Sequence, residues 1–399
     1  MTGIENLKQE LNEAREKGYQ AMEASLLVRL GEAHLSLKQP MNAIECYRLA
    51  LEVYRSLSDR EEEANTLGSL AIAYTNLGQT EHALESLEQA LTISREIGDR
   101  RSEGVHVGNL GNVYSDLGQM ERAIEFYQQA LAISREIGDR YMESSALSSL
   151  GLAYSALGQI ERAIEFYQQV LAISREIGDR RNEGNWLGDL GNAYSTLGQM
   201  ERAIEFYQQA LAISCEIGDR RGEGAHLGNL GNAYHRLGQM ERAIEFYQQA
   251  LAISREIGDR RGEGVRSSNL GITYSELGEL DRAIEYFKQS LDTSREVGSQ
   301  RDEAIAWGNL AYAYMRLNRM EESINLFKRA LLMYRETCDR YGEGLALGNL
   351  GYVLLRLGHT EEAREYLKQA LAISKDVQGL NVAHLRKFLR QLDGSEKEK

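Results

Sequence analysis

The sequence predicts an all-α protein, an α-solenoid of antiparallel helix pairs. Three observations predict it. The string ERAIEFYQQALAISREIGDR occupies 121–140 and recurs at 161–180, 201–220 and 241–260, changed only at Val170 and Cys215. Apolar residues follow a helical period in both halves of each repeat. Glycine ends most of the halves, and the chain holds 38 glycines against a single proline, Pro40. That composition excludes collagen and proline-rich linkers.

The period is 40 residues. Looser copies start at Glu81, Asp281, Glu321 and Glu361, and nine units fit between 21 and 380. Residues 1–20 read as a capping half-unit, because Leu11, Arg15, Glu16 and Gly18 fall in register with Leu251, Arg255, Glu256 and Gly258. In the unit 221–260 the first half is apolar at Leu227, Leu230, Ala233, Tyr234 and Leu237. The second half is apolar at Ala243, Ile244, Phe246, Tyr247, Ala250, Leu251, Ile253 and Ile257. Both follow the i, i+3, i+4, i+7 spacing of an amphipathic helix. Gly238 and Gly258 stand where a left-handed residue ends each one. Asp259 stands where the next helix needs an N-cap, and Glu263 adds a carboxylate to its first turn. Gly262 occupies the place of a capping-box acid, so that motif is absent.

One such pair, helix A then helix B, cannot bury its apolar face alone; stacked neighbours can, so 21–380 is expected to form one array. Residues 381–393, basic and amphipathic, read as a C-terminal capping helix, and 394–399 as a disordered tail.

The charge excludes some partners. Lys plus Arg is 46, Asp plus Glu is 60, and the net charge is −14. Such a chain is a poor match to nucleic acid or to anionic membranes. Cys46, Cys215 and Cys338 form no CxxC pair, which fits a reducing compartment. With neither an apolar leader segment at the N-terminus nor a run long enough to span a bilayer, a cytoplasmic protein is expected.

Leu227, Leu230, Gly231, Tyr234, Gly238, Ala243, Tyr247 and Ala250 match, in order and spacing, the signature of tetratricopeptide repeats, and the match recurs over 21–380. The commonest unit of that family is shorter and ends helix B with proline. Here Arg255 takes that place and helix B runs on to Gly258. The chain thus resembles the long-helix subtype of kinesin light chains, Pins-type adaptors and bacterial signalling proteins. The resemblance implies a right-handed superhelix whose A helices line a concave groove that binds protein or peptide partners, usually without catalysis or cofactor.

Helical geometry indicates which residues would bind. At 100° per residue, the core residues of helix A centre roughly 130° away from a stripe holding Asn229, Asn232, Ala225 and Arg236. Down one column stand Arg29, Ser69, Asn109, Ser149, Asp189, Asn229, Asn269, Asn309 and Asn349. Down the next stand Glu32, Ile72, Asn112, Leu152, Asn192, Asn232, Ile272, Tyr312 and Tyr352. An amide is both donor and acceptor, so a ladder of asparagines suits an extended peptide backbone. The plainer reading is a solvated helix face, although asparagine is a poor interior helix former. Toward the C-terminus the stripe changes to Ile305, Tyr312, Met315, Arg316, Leu345, Tyr352, Leu355 and Arg356. That is either a hot spot or core under a terminal helix. If open, Arg236, Arg316 and Arg356 favour acidic or phosphorylated ligands. The two-carboxylate clamp of the family needs lysines where Ala225, Gly228, Ile305 and Gly308 stand, so it is not expected.

Gly224 and Gly228 have no evident core role and are read as widening the groove or making the array compliant. Gly231 is read as allowing close approach opposite Ala243. No HxxxH, HExxH, GxxxxGK[ST], GxSxG or GxGxxG occurs, so no catalytic or metal residue is assigned. His106 and His226 are expected to pack beside the core, and the many acidic residues to be solvated. The leading function is a peptide-binding scaffold. The alternatives are a self-assembling homo-oligomeric solenoid and a sensor for a separately encoded effector.

Overall fold

A computed structural model describes residues 3–395, with side chains through residue 392. The described residues form twenty helices and no strand. In chain order these are α1 (Gly3–Glu16), α2 (Gln20–Ser36), α3 (Pro40–Leu57), α4 (Arg60–Asn76), α5 (Thr80–Ile97), α6 (Arg100–Asp116), α7 (Met120–Ile137), α8 (Arg140–Ala156), α9 (Ile160–Glu176) and α10 (Arg180–Thr196). There follow α11 (Met200–Glu216), α12 (Arg220–Arg236), α13 (Met240–Glu256), α14 (Arg260–Glu276), α15 (Leu280–Glu296), α16 (Gln300–Arg316), α17 (Met320–Glu336), α18 (Arg340–Arg356), α19 (Thr360–Ile373) and α20 (Val382–Ser395). From α2 on, even-numbered helices are the A helices and odd-numbered ones the B helices, packed as antiparallel pairs of an α-solenoid. The chain divides into two compact units, Met1–Leu197 and Gly198–Lys399, parting between the two helices of one repeat.

Each helix starts and stops for a local reason. The Asp259 carboxylate accepts from the Gly262 N–H at 2.9 Å, satisfying one orphan donor of α14. Asp99, Asp139 and Asp339 do the same for α6, α8 and α18. Gly238 and Gly258 end α12 and α13 with φ of 73° and 70°, in the left-handed region. Pro40 opens α3 at a position where its missing N–H costs nothing.

Within a pair, one contact sets the distance. The Tyr247 ring of α13 lies flat against α12 at Gly231, and a Cβ there would sit 2.5 Å from its Cδ1 and Cε1. At Gly231, where close approach of the helices was foreseen, the nearest atoms belong to the Tyr247 ring. Gly111 with Tyr127, and Gly151 with Tyr167, repeat the contact. Adding a methyl group would overpack it, at a cost of about 1–3 kcal/mol. Tyr234 stacks on Phe246 at 5.3 Å, and the Arg242 guanidinium lies over the Tyr234 ring. Such a stacked pair contributes about 0.5–1.5 kcal/mol beyond its buried area.

Between repeats, the acidic residues depart from expectation. Glu63, Glu103, Glu143, Glu183, Glu263 and Glu343 are buried, not solvated. Each is held by two arginines. Glu263 accepts from Arg255 Nε at 2.8 Å, from the end of the preceding B helix, and from Arg260 on its own helix. Arg260 in turn reaches Glu296 at the end of the next B helix. α4, α6, α8 and α14 are thereby tied to the B helices on both sides. The cause is geometric: the first turn of helix A lies under the last turn of the preceding helix B, where a carboxylate without partners would be costly.

At the C-terminus α19 stops at Ile373, short of the expected B-helix length, and the chain turns through Gly379 at φ 94°. Leu380, Leu385 and Leu392 are buried, and α20 packs on α18 and α19. This helix continues through Gly394 and Ser395, two residues into the segment read as a tail; 396–399 lie outside the described residues.

Candidate functional site

The stripe on the A helices resolves into two kinds of position. Asn109, Asn269, Asn309 and Asn349 are half-buried between neighbouring A helices, as is Asn229. Asn112, Asn192 and Asn232 are exposed. Two residues of the half-buried column link helices: Asn309 Nδ2 lies 3.4 Å from Ser268 Oγ, and Asn269 Nδ2 donates to Asn232 Oδ1 at 3.2 Å. Asp189 stands in the same column, where burial pushes its carboxyl above the usual range despite a hydrogen bond from Asn192.

Two exposed amides are fixed from below. The Tyr127 hydroxyl donates to Asn112 Oδ1 at 2.9 Å, and the Tyr247 hydroxyl to Asn232 Oδ1 at 2.7 Å. Burial pushes both phenols well above their ordinary pKa, so they remain donors. With the carbonyl engaged, what each amide presents outward is its NH2 group. The tyrosines that wedge the helix pairs apart thus also orient the side chains on the outer face.

The aromatic and basic end of the stripe behaves differently. Arg316 donates to the Ser275 carbonyl at 2.5 Å, clipping α16 to α14. Arg356 donates to the Tyr352 hydroxyl at 3.0 Å. Both guanidiniums are therefore engaged within the chain. The Phe388 ring of α20 lies 5.1 Å from that of Tyr352. Leu345, Asn349 and Tyr352 share a cavity with Leu385 and Phe388. The capping helix thus covers part of this patch, while Tyr312 stays exposed. Beside Arg236, His235 Nε2 lies 3.2 Å from a carboxylate oxygen of Glu276 on α14.

The glycines of helix A have packing roles that the sequence reading missed. Gly224 and Gly228 are buried, not open to a ligand. Ile253 Cγ2 lies 3.1 Å from a Cβ on Gly224, and the Arg266 guanidinium of α14 fills the space above Gly228. In the first unit, His106 of α6 sits above Gly68 of α4 in the same way. His106 is buried, as expected, and burial lowers its pKa to about 4 against an opposing pull from Asp99. The signal was present in the repeats: the column Leu26, Thr66, His106, Ala146, Trp186, His226, Arg266, Ala306, Ala346 varies in size beside a column dominated by glycine. Where that residue is Ala146, a cavity of about 260 Å³ opens between α6, α7 and α8.

Comparison with known proteins agrees with this architecture. A family model described as tetratricopeptide repeat matches residues 9–96, 104–176, 156–216, 223–296 and 302–376, and a second of the same description matches 189–256. No curated protein matches the sequence. Among solved structures, a signal transduction ATPase with numerous domains and a tetratricopeptide repeat sensor, from Pyrococcus horikoshii, is 18% identical with a TM-score of 0.64. It covers 92% of this chain, which spans 55% of that one. The apo quorum sensor NprR from B. thuringiensis is 16% identical over 90% of this chain and 99% of its own, with a TM-score of 0.56. Aspartyl phosphate phosphatase F from Bacillus subtilis is 15% identical over 90% and 95%, with a TM-score of 0.58.

Proposed function

Because the chain belongs to the tetratricopeptide repeat family, we propose that it is a cytoplasmic, non-catalytic scaffold that holds an extended segment of a partner protein along its A helices. The observation that carries this reading is the pinned amide. Asn112 and Asn232 are exposed, yet each has its carbonyl held by a buried tyrosine hydroxyl. A solvated face has no need of such an arrangement. An NH2 group held in a fixed direction donates to a backbone carbonyl at low entropic cost and without regard to the partner's side chains. Asn192 continues the series by position, and Asn109, Asn229, Asn269, Asn309 and Asn349 buttress it from the half-buried column. Tyr312 adds an aromatic contact. Arg236 supplies charge, whereas Arg316 and Arg356 act through the packing they maintain. The acidic surface argues against nucleic acid and anionic membranes as partners.

The test is capture of the native partner by the tagged full chain and by the Asn112→Ala, Asn192→Ala, Asn232→Ala triple variant. The variant is expected to fold and to lose at least ten-fold in retention. Equal retention contradicts the reading.

A sensor for a separately encoded effector is the second reading. It is favoured by two of the structural neighbours, one carrying a tetratricopeptide repeat sensor and the other a quorum sensor. It differs in requiring that ligand capture change binding to a second protein.

A further inference from the structure

We propose that the cavity between α6, α7 and α8 is a recognition pocket for an arginine side chain of the partner segment. This rests on the reading that a partner lies along the A helices, and adds a side-chain preference to it. The chain carries its own example of the occupant. In the second unit, Arg266 projects from α14 across the face of α12. Its guanidinium lies above Gly228, where a Cβ would come 2.4 Å from Cζ, and its Nη2 points to the Gly224 carbonyl at 3.4 Å. Burial lowers the pKa of Arg266, and the Asp259 carboxylate opposes that shift.

Around that site stand Gly224, Gly228, Tyr247 and Asp259, with Asn232 one turn beyond Gly228 on α12. Around the cavity of the first unit stand the same residue types at the equivalent places: Gly104, Gly108, Asn112, Tyr127 and Asp139. Where α14 projects Arg266, however, α8 has Ala146. The five positions around the guanidinium in one unit recur in the other without it, with Met142 packed on Gly104 where the second unit has Gly262, and the place is open to the outer face beside Asn112. An arginine from the partner would lie over Gly108, point to the Gly104 carbonyl and share the Asp139 carboxylate. Arg101, at the rim, is 3.2 Å from Asp139 and is the one cation the ligand would meet there.

Two other large residues of the column sit against different walls. Trp186 stacks on Tyr167 at 5.8 Å, with Ser148 in the glycine place. His106 faces Gly68, but Leu87 replaces the tyrosine. The five-residue set also precedes His226 in the sequence, so histidine is the competitor the test must include.

The experiment uses the full chain with 13C-methyl methionine and isoleucine. N-acetyl-argininamide is titrated while the methyl resonance of Met142, which lines the cavity, is followed. A saturable shift is expected, with the lysine, histidine and leucine amides at least five-fold weaker. Ala146→Arg, which supplies the chain's own guanidinium, is expected to abolish the shift, and Ala146→His gives a second filled variant should the first fail to fold. Arg266→Ala is expected to open the matching place and add a shift at Ile253. No saturable shift, equal response to the histidine or lysine amide, or an unchanged response in a folded filled variant overturns the proposal. Asn192→Ala and Asn232→Ala lie outside the pocket. They leave this shift unchanged while weakening partner capture, so failure of the pocket and failure of the amide ladder are read separately.

Discussion

His106 shows how one side chain in a repeat can carry both packing and chemistry. Its ring is buried above Gly68, and neither ring nitrogen has a hydrogen-bond partner. The neutral form is thereby favoured: burial holds the folded pKa near 4, below the ordinary 6.5. A base with a depressed folded pKa takes up its proton first in the unfolded chain. Stability contributed by neutral His106 is therefore present above pH 6.5 and lost as pH falls from about 6.5 toward 4. His106→Ala places at this site the residue found at 146, 306 and 346. Relative to this variant, the native chain is expected to lose about 1–2 kcal/mol between pH 7 and pH 5. Paired denaturant melts at the two values measure it; parallel pH dependence would contradict the account.

At the scale of elements, the doubly clasped glutamate joins one repeat to the next. Two departures from the pattern show what it does. Cys215 stands in the place of the first arginine, leaving Glu223 with Arg220, and Gln300 stands in the place of the second, leaving Glu303 with Arg295. Both glutamate side chains are more exposed than their doubly held counterparts, at 17% and 20% against 8% for Glu263. Cys215→Arg is expected to restore the second bond and raise stability by about 1 kcal/mol, since the arginines are half exposed and the gain is screened. Thermal melts in low and high salt test this; no gain at low salt would contradict it. In Glu103 and Glu143 burial pushes the carboxyl up, but the two arginines overcome it and hold the pKa below the ordinary 4.5. The clasp is thus fully formed above that pH and is lost as pH falls through the lower folded value.

The helices, their caps and the repeat period were legible in sequence because they depend on neighbours in the chain: Gly258 ends one helix, and Asp259 caps the next. The clasp was not legible. Glu263 reads locally as a partner of the helix dipole, and its burial depends on Arg255, which only the bend between helices brings over it. The same holds for the site. The asparagine columns were visible from helical geometry, but their division into half-buried links and outward amides was not. That division depends on Tyr127 and Tyr247, which reach through from the B helices. Nor did the sequence reading give Gly228 its packing role, because the group that fills its space, Arg266, lies in the next repeat.

For the whole molecule, the same unit is used nine times with small edits, and on the proposed function the edits carry the specificity. A column of mostly aromatic residues packed on a column of mostly glycine sets helix spacing. A second column, from Leu26 to Ala346, fills or vacates the space above glycine, and a third presents amides or aromatics. Among the described residues no helix is long and apolar enough to cross a membrane. The central claim is that the partner lies on the A-helix face and touches the outward amides. Site-specific photo-crosslinking tests it most directly, with a photoreactive residue placed singly at Asn112 or Asn232 and, as controls, at the exposed helix-B positions Gln129 or Gln249. Partner adducts are expected from 112 and 232 and at least ten-fold fewer from 129 and 249. Adducts of equal yield from the helix-B positions, or from those alone, would contradict the account.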